Sequence, residues 1–360
     1  MDSSLEELLQ PDVLTASYQQ VETVRQTPLT DAFTSNTQDV DDDTFRFYYR
    51  PGDVKPAPIN HPGGSARVLE IGTAKERFMS LFTVFNSQEF NMSVFNAIRE
   101  PDSRTLQRMG RTTISEVLGV FAERHRTLKE VAIAKILSDG IVYANESGEI
   151  LESSSGATYT ADFGVPSSNK TDIGGIITDL FSEPTANIPL MLEQIVDSAR
   201  QAKVPAPKHV WLHKLNLQYL RENDYFIEWA VRMPDFAQRV LSGEAIEDLW
   251  GMTWHFVPDY YEAQSGTVTP IIGRTKAIFT PDPTGAWRKS VRGPTIVPKS
   301  VGLADTVDAA LNQMDQVWGE FAYAAVEHNP ARIMGFFGDK WGFGFAEPEA
   351  VWQAVAFPAS

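Results

Sequence analysis

The stretch SRTLQRMGRTTISEVLGVFAERHRTLKEVAIAKILSDG, Ser103 to Gly140, decides the fold. Leu106, Met109, Ile114, Val117, Leu118, Phe121, Leu128, Val131, Ala132 and Ile136 recur at three- and four-residue steps, while Arg124, Arg126, Lys129 and Glu130 take other faces. This spacing predicts one helix from Ser103 to Ser138, with Asp102 or Ser103 as N-cap and Asp139-Gly140 as its stop. At about 1.5 Å per residue the helix is roughly 54 Å long. A compact globule of this chain length has a radius of gyration of about 21 Å and is only about as wide as that. The expectation is an elongated molecule built along this helix.

Upstream lies YYRPGDVKPAPINHPGGSARVLEIG, Tyr48 to Gly72. Phe45, Phe47 and Tyr49 alternate with Arg46, Tyr48 and Arg50 on its near side, and Val68, Leu69 and Ile71 follow on its far side. Between them Pro51, Pro56, Pro58 and Pro62 remove ladder donors, and Gly63-Gly64 lets the chain reverse. The span from Thr44 to Gly72 therefore reads as an extended two-stranded arm, each leg reaching at most about 45 Å. Such an arm must rest on something, and another subunit is the natural support.

The 360 residues, 42% hydrophobic, suffice for one large domain or two medium ones. No run of eighteen apolar residues and no leader-like start at Met1 is present, so neither a membrane span nor a secretory signal is expected. The chain has no cysteine, which excludes disulfides, Cys-ligated zinc, iron–sulfur clusters and thiol nucleophiles. A net charge of −16 without clustered Lys and Arg argues against an electrostatic grip on nucleic acid. The acidity is concentrated: Met1 to Asp43 holds ten Asp or Glu against one Arg. Within that arm, Ser3 to Gln10 allows a short helix that Pro11 ends, and the polar remainder reads equally as a partly ordered tail or a docking arm.

Downstream of the long helix, GIVYANESGEIL predicts a hairpin turning at Glu146 to Gly148, and ATYTADFGVP a further strand. A mixed α/β region follows. It has a helix from about Glu183 to Ala202, a strand at HVWLH, a short helix near Leu215 to Arg221 and helical periodicity from Asp224 to Leu249. Strands are expected at TWHFVPDYY and KAIFTP, a helix around Asp305 to Trp318, and paired strands returning to the long helix in IMGFFGDKWGFGFAEPEAVWQAVAF.

Candidate chemistry is thin. His209 and His213 have the spacing of a helical zinc site, but the intervening residues read as strand, where they lie about 13 Å apart, and outward histidines are the expectation. Asp162-Phe163-Gly164 copies a kinase triplet and His125-Arg126-Thr127 part of a catalytic loop, yet no Gly-rich loop precedes them and Thr127 stands where an Asp is required. Asp259 and Glu262 beside Trp254, His255, Tyr260 and Tyr261 could form a sugar cleft with paired carboxylates, against the plainer reading of core aromatics with a solvated rim. Three glycosylation-type triplets, at Asn91, Asn145 and Asn169, carry no weight without a signal peptide.

The local text and the order of elements together resemble the lambda-type (capsid E) family of tailed-phage major capsid proteins, which share the Hong Kong 97-type shell fold. KPAPINHPGGSARVLEIG, then FNSQEFNM and REPDSRTLQRMGR, is similar to that family's E-loop running into its spine helix, and AKILSDGIVYANESGEILESSSGATYTADFGVP to its helix end, hairpin and strand. The likeness is clearest from Phe45 to Pro166. It implies an α+β fold with an acidic N-terminal arm (1–43), an E-loop hairpin with flanking strands (44–90) and a P-domain (91–171) holding the spine helix (103–138). An α/β A-domain (172–307) and a return to the P-domain (308–360) complete it. The implied function is a major capsid protein that self-assembles through hexamers and pentamers into an icosahedral head around double-stranded DNA, with no catalysis, cofactor or metal. Implied partners are a separate scaffolding protein, since only some 43 residues precede the arm, a portal and a decoration protein. DNA is enclosed without sequence-specific binding, no membrane is involved, and the virion is assembled in the host cytoplasm. Contacts between subunits are expected at Arg46, Arg50, Lys55, His61, Arg67 and Glu70. An encapsulin-like nanocompartment shell and a soluble hydrolase using Asp259 and Glu262 are the alternatives.

Overall fold

The computed structural model describes residues 8–23, 25–49, 75–91, 94, 96, 103–170, 175–233, 246–263, 266–298, 314–328 and 331–358. The chain opens with helices α1 (Pro11–Gln19) and α2 (Pro28–Thr34), then strands β1 (Thr37–Asp39), β2 (Thr44–Tyr49), β3 (Lys75–Ser80) and β4 (Phe82–Glu89). The long helix is α3 (Arg104–Asp139), followed by β5 (Ile141–Ala144), β6 (Ile150–Leu151) and β7 (Tyr159–Asp162). Next come α4 (Ile188–Gln201), β8 (His209–His213), α5 (Leu217–Glu222), α6 (Asp224–Arg232), β9 (Ile246–Leu249), β10 (Met252–Val257), β11 (Tyr260–Glu262), β12 (Val268–Pro270) and β13 (Lys276–Thr280). The chain ends with β14 (Arg288–Arg292), β15 (Pro294–Pro298), β16 (Met314–Trp318), β17 (Phe321–His328), β18 (Ala331–Phe345) and β19 (Trp352–Val355).

The spine helix runs as its own residues dictate. The Ser103 side chain faces the Leu106 amide at 3.5 Å, and the Gly140 amide closes the helix on the Ile136 carbonyl at 3.0 Å. Gly140 has φ +67°, and a Cβ there would stand 2.9 Å from Val165, so the stop needs glycine twice over.

Two compact units form. The first comprises Met1–Phe45, Met79–Glu130 and Ser290–Phe343. Its sheet runs β1-β14-β18-β17, with β4 also pairing β18. From α3, Ile114, Leu118, Phe121 and Ala122 pack on Ala322, Ala324, Ile333 and Phe337 of the sheet, and Leu14 and Tyr18 of α1 join the same cluster. The Phe121 and Phe337 rings stack with centroids 4.5 Å apart. On β18, Gly338 leaves room for its neighbours, since a Cβ there would lie 2.4 Å from the Phe321 ring.

The second unit comprises Arg46–Phe78, Val131–Lys289 and Gly344–Ser360. Its five-stranded sheet has the order β19-β13-β8-β10-β9, and β8 lies parallel to β10 across a connection that carries α5 and α6. Ile188, Met191, Leu192 and Ile195 of α4 pack on Val210, Leu212, Trp254 and Phe279. Behind that sheet Gln353 donates to the Leu137 carbonyl at 2.7 Å, and Ile133, Ile136 and Leu137 are fully buried. The predicted hairpin is present as β5 and β6, with β7 on the other side of β5.

Several expectations are overturned. Pro11 also opens a helix, α1, because a proline at the first helical position costs no hydrogen bond, and the helix expected over Ser3 to Gln10 lies mostly outside the described residues. The segment from 11 to 39 is no loose tail: Leu14, Tyr18, Leu29 and Phe33 are all buried to within 1%. Ile246–Leu249, read as helical, is strand β9, turned back on β10 through Trp250 and Gly251, both at positive φ. Met314–Trp318, read as the end of a helix, is strand β16 paired with β15. Met109, assigned to the apolar stripe of α3, is 51% exposed, while Glu130, assigned to the polar faces, is 1% exposed.

Candidate assembly surfaces

Of the six charged positions expected to make subunit contacts, Arg46 is in the described structure, exposed on β2; Arg50, Lys55, His61, Arg67 and Glu70 lie outside the described residues. The base of the arm is a two-stranded ribbon of β2 and β3. Across it the exposed Tyr48 hydroxyl donates to Glu76 Oε1 at 2.8 Å, a bond that raises the phenol pKa above its ordinary value.

The side chains singled out for chemistry have structural partners. His213 is 1% exposed, not outward, because the face of β8 that carries it is covered as fully as the opposite face. His209 Nδ1 meets His255 Nε2 at 2.9 Å, and His255 stacks on Trp211 with centroids 3.9 Å apart. Burial, with the neighbouring His209 adding to it, pushes His255 down to about 4. No group of three His, Asp or Glu is placed to hold a metal among the described residues. Asp162 Oδ1 accepts the Gly164 amide at 2.8 Å in a tight turn, and Phe163 is buried edge-on to Phe345. Asp259 is half-buried in the turn before β11, and Glu262 is exposed at the end of that strand. The Tyr261 hydroxyl between them bonds Glu152 at 3.0 Å instead. Asn169 is buried and donates to the carbonyls of Glu349 and Val351.

A group of residues not anticipated from sequence lies on one stretch of α3. His125 Nδ1 meets the Tyr18 hydroxyl at 2.7 Å and its Nε2 meets Asn86 Nδ2 at 2.9 Å, so one ring ties α1, α3 and β4 together. Burial pushes that histidine down to about 4, although Asp339 opposes it, and burial raises the Tyr18 phenol. One residue on, the Arg126 guanidinium donates to the carbonyls of Tyr18, Gln19 and Val21, where α1 ends, and pairs with Glu320 at 3.2 Å. One turn later Glu130 accepts the Leu29 amide at 2.9 Å and the Thr30 amide at 2.7 Å, at the start of α2. Burial pushes Glu130 up to about 7, against the downward pull of those amides. A cation thus caps a helix C-terminus and an anion caps a helix N-terminus, both in the sense the helix dipole favours.

The face of the first unit's sheet that turns away from α3 is aromatic. Phe85, 53% exposed, stacks on Phe336 at 5.7 Å, and Phe336 on Tyr323 at 4.9 Å. A groove of about 730 Å³ runs beside them, lined by Phe85, Tyr323, Ile296, Asp41, Asp43 and Lys340. Ile296 is 71% exposed, and next to it Asp39, Asp41, Asp42 and Asp43 form an exposed acidic strip in which Asp39 pairs with Arg292 at 2.8 Å and Asp43 with Lys340. Contiguous exposed apolar surface with a charged border is what a protein contact looks like before the partner arrives.

Among solved structures the chain is similar to one assigned as the capsid protein of a prophage of E. coli CFT073, at 11% identity over 97% of this chain and 99% of that one, with a TM-score of 0.59. It is also similar to a phage-related protein from Bordetella bronchiseptica RB50, at 12% identity, 98% and 99% coverage and a TM-score of 0.51. At these identities the likeness is one of fold, the α+β fold of Hong Kong 97-type capsid proteins. No curated protein matches the sequence. The family model for phage major capsid protein E matches residues 10–293. With that match running from the start of α1 to the end of β14, the chain belongs to the phage major capsid protein E family, and its role is that of a structural subunit of a capsid shell.

Proposed function

We propose that this subunit closes into an icosahedral phage head through hexamers and pentamers, enclosing double-stranded DNA without binding its sequence and without catalysing a reaction. The observation that carries the proposal is the family match over residues 10–293, and the aromatic groove and its acidic border agree with it. In this reading residues 1–43 are the N-terminal arm, 44–90 the E-loop and its strands, 91–171 and 308–360 the P-domain, and 172–307 the A-domain. A separate scaffolding protein, a portal and a decoration protein would complete the particle, which is assembled in the host cytoplasm.

The arm's charges give the proposal a specific form. Residues 44–72 carry Arg46, Arg50, Lys55 and Arg67 against Asp53 and Glu70, with His61 in addition, so the arm is basic within an acidic chain. The exposed strip Asp39 to Asp43 beside the aromatic groove has the opposite sign. Arg46, Arg50, Lys55, His61, Arg67 and Glu70 remain the proposed contact residues, with that strip on a neighbouring subunit as their counterpart. Opposite potentials would set the register of subunits and speed their encounter more than they would add affinity. Nothing in the structure favours an encapsulin-like compartment or a hydrolase.

Light scattering with imaging of the same purified sample tests the proposal. Closed polyhedral shells, or discrete hexamers and pentamers, are expected, with or without a co-expressed scaffolding protein. A chain that stays monomeric in the presence of the scaffolding protein encoded beside it would overturn the proposal. Deleting Lys55 to Ser65 should leave a folded subunit that no longer forms shells, and wild-type shells from that deletion would remove the arm from the assembly reading.

A further inference from the structure

Among the described residues β17 is the terminal strand of the first unit's sheet, and the side turned away from β18 is closed in an unusual way. At Ala322 a neighbouring strand would supply one acceptor and one donor. A single hydroxyl does both: Thr15 Oγ1 of α1 donates to the Ala322 carbonyl at 2.8 Å and accepts the Ala322 amide at 3.1 Å. Four residues on, Gln19 Nε2 takes the Glu320 carbonyl at 2.7 Å. The strand itself, FAYAAVEH, has neither proline nor lysine, the residues by which exposed edges usually protect themselves. Protection has been handed to a helix that starts more than 300 residues earlier in the sequence. That helix is seated by Leu14 and Tyr18, and by the His125 and Arg126 contacts from α3.

We propose that α1 is an autoinhibitory cover that keeps β17 from pairing, edge to edge, with β17 of a second copy of this chain. An isologous antiparallel pair across a two-fold axis satisfies both partners and yields a closed dimer, not a shell. The cover therefore removes a competing association from a protein whose other surfaces are built to associate. The proposal does not depend on how the shell is organised, because a dimer and a polyhedral particle are told apart by size.

Native-state hydrogen exchange on the unmodified full chain is the first test. The Ala322 amide should exchange together with the amides of α1, at least tenfold faster than those of β18 behind it. Exchange as slow as β18 would mean that the cover never opens by itself, and would overturn the proposal. Tyr18→Asp, which places a charge at a fully buried seat of α1, should then give dimers at a tenfold lower protein concentration than wild type. Adding Ala322→Pro, which removes the edge donor without touching the ladder to β18, should remove the dimer and return the wild-type size distribution, and Ala325→Lys on the same strand should do the same if the proline variant loses its α3 amide protection. Dimers that survive both second changes, or a Tyr18→Asp variant that stays at wild-type size, would refute edge pairing.

Discussion

The part of helix α3 up to Glu130 and the pair α1 and α2 belong to the same unit, yet they are held in opposite ways. The spine helix brings its own stop, its own apolar stripe and enough length to propagate. The N-terminal helices have nine and seven residues, and neither has a side-chain cap of its own. Helices so short are marginal in water, because nucleation costs more than a few hydrogen bonds return. Their ends are capped from α3, by Arg126 at the close of α1 and Glu130 at the opening of α2. One region is specified locally, and the other borrows its specification from residues about a hundred positions away.

The comparison breaks most sharply at the stripe of α3. Phe121→Asp puts a carboxylate where a ring stacks on Phe337, and Ile114→Asp does so at a site 3% exposed. Either should cost more than about 4 kcal/mol and abolish cooperative folding. A soluble variant with an unchanged melting temperature would show that the stripe faces elsewhere. A smaller loss is expected at the borrowed cap. Glu130→Ala leaves the buried Leu29 amide and the half-buried Thr30 amide without an acceptor, worth about 2 kcal/mol. The loss should appear as exchange and proteolysis confined to α2 while α3 stays protected. Uniform destabilisation of both would mean that the two regions are one cooperative unit.

This division explains what could be read in the sequence. The spine helix, the β5–β6 hairpin, β8 and β13 were legible because periodicity and turn residues are local signals. Pro11 was legible as a boundary but not as a start, because proline reads as a stop unless the residues after it are known to be helical. Glu130 looked like solvated charge because its partners, Leu29 and Thr30, are about a hundred residues away. Ile246–Leu249 and Met314–Trp318 carry apolar spacings that fit either structure, and their pairing with β10 and β15 decided them. His213 was placed outward on the assumption of a one-sided sheet, whereas its sheet is covered on both faces. For the candidate site, the sequence pointed to six positions on the arm, of which Arg46 alone falls within the described residues. It gave no warning of the aromatic face, since Phe85, Tyr323 and Phe336 come from three separate strands.

Because Glu130 is raised by burial from the ordinary carboxylate range to about 7, the borrowed cap should also depend on pH. A carboxyl whose folded pKa exceeds its unfolded one contributes stability that is complete below the unfolded value and is lost as pH rises through the folded value. His125, pushed down to about 4, acts in the opposite sense, but its contribution is complete above pH 6.5. Between pH 6.5 and 8 His125 therefore does not offset the Glu130 effect, and docking of α2 should weaken by about 1 kcal/mol. Asp31 is the other titratable group near Glu130, and its charge adds to the upward shift. Glu130→Gln should flatten this slope, as read by α2 amide exchange at the two pH values. A slope that persists in the variant would assign it to another group.

The smallest effect should come from the cap that α3 supplies for itself. Ser103 Oγ stands 3.5 Å from the Leu106 amide, at the long limit of a hydrogen bond, and lies at a partly exposed helix end. Removing a well-formed N-cap costs about 1 kcal/mol, and this one should give up no more than about 0.5 kcal/mol as Ser103→Ala. The 36-residue helix distributes its stability along a packed stripe, so a frayed first turn leaves the turns at Ile114 and Phe121 in place. The contrast with Glu130→Ala is the informative quantity: the longer helix should tolerate losing its own cap better than the shorter one tolerates losing a borrowed one. If chemical denaturation shows Ser103→Ala to be the more damaging change, α3 depends on its N-terminal turn, and the distinction between local and borrowed specification fails at its best-defined example.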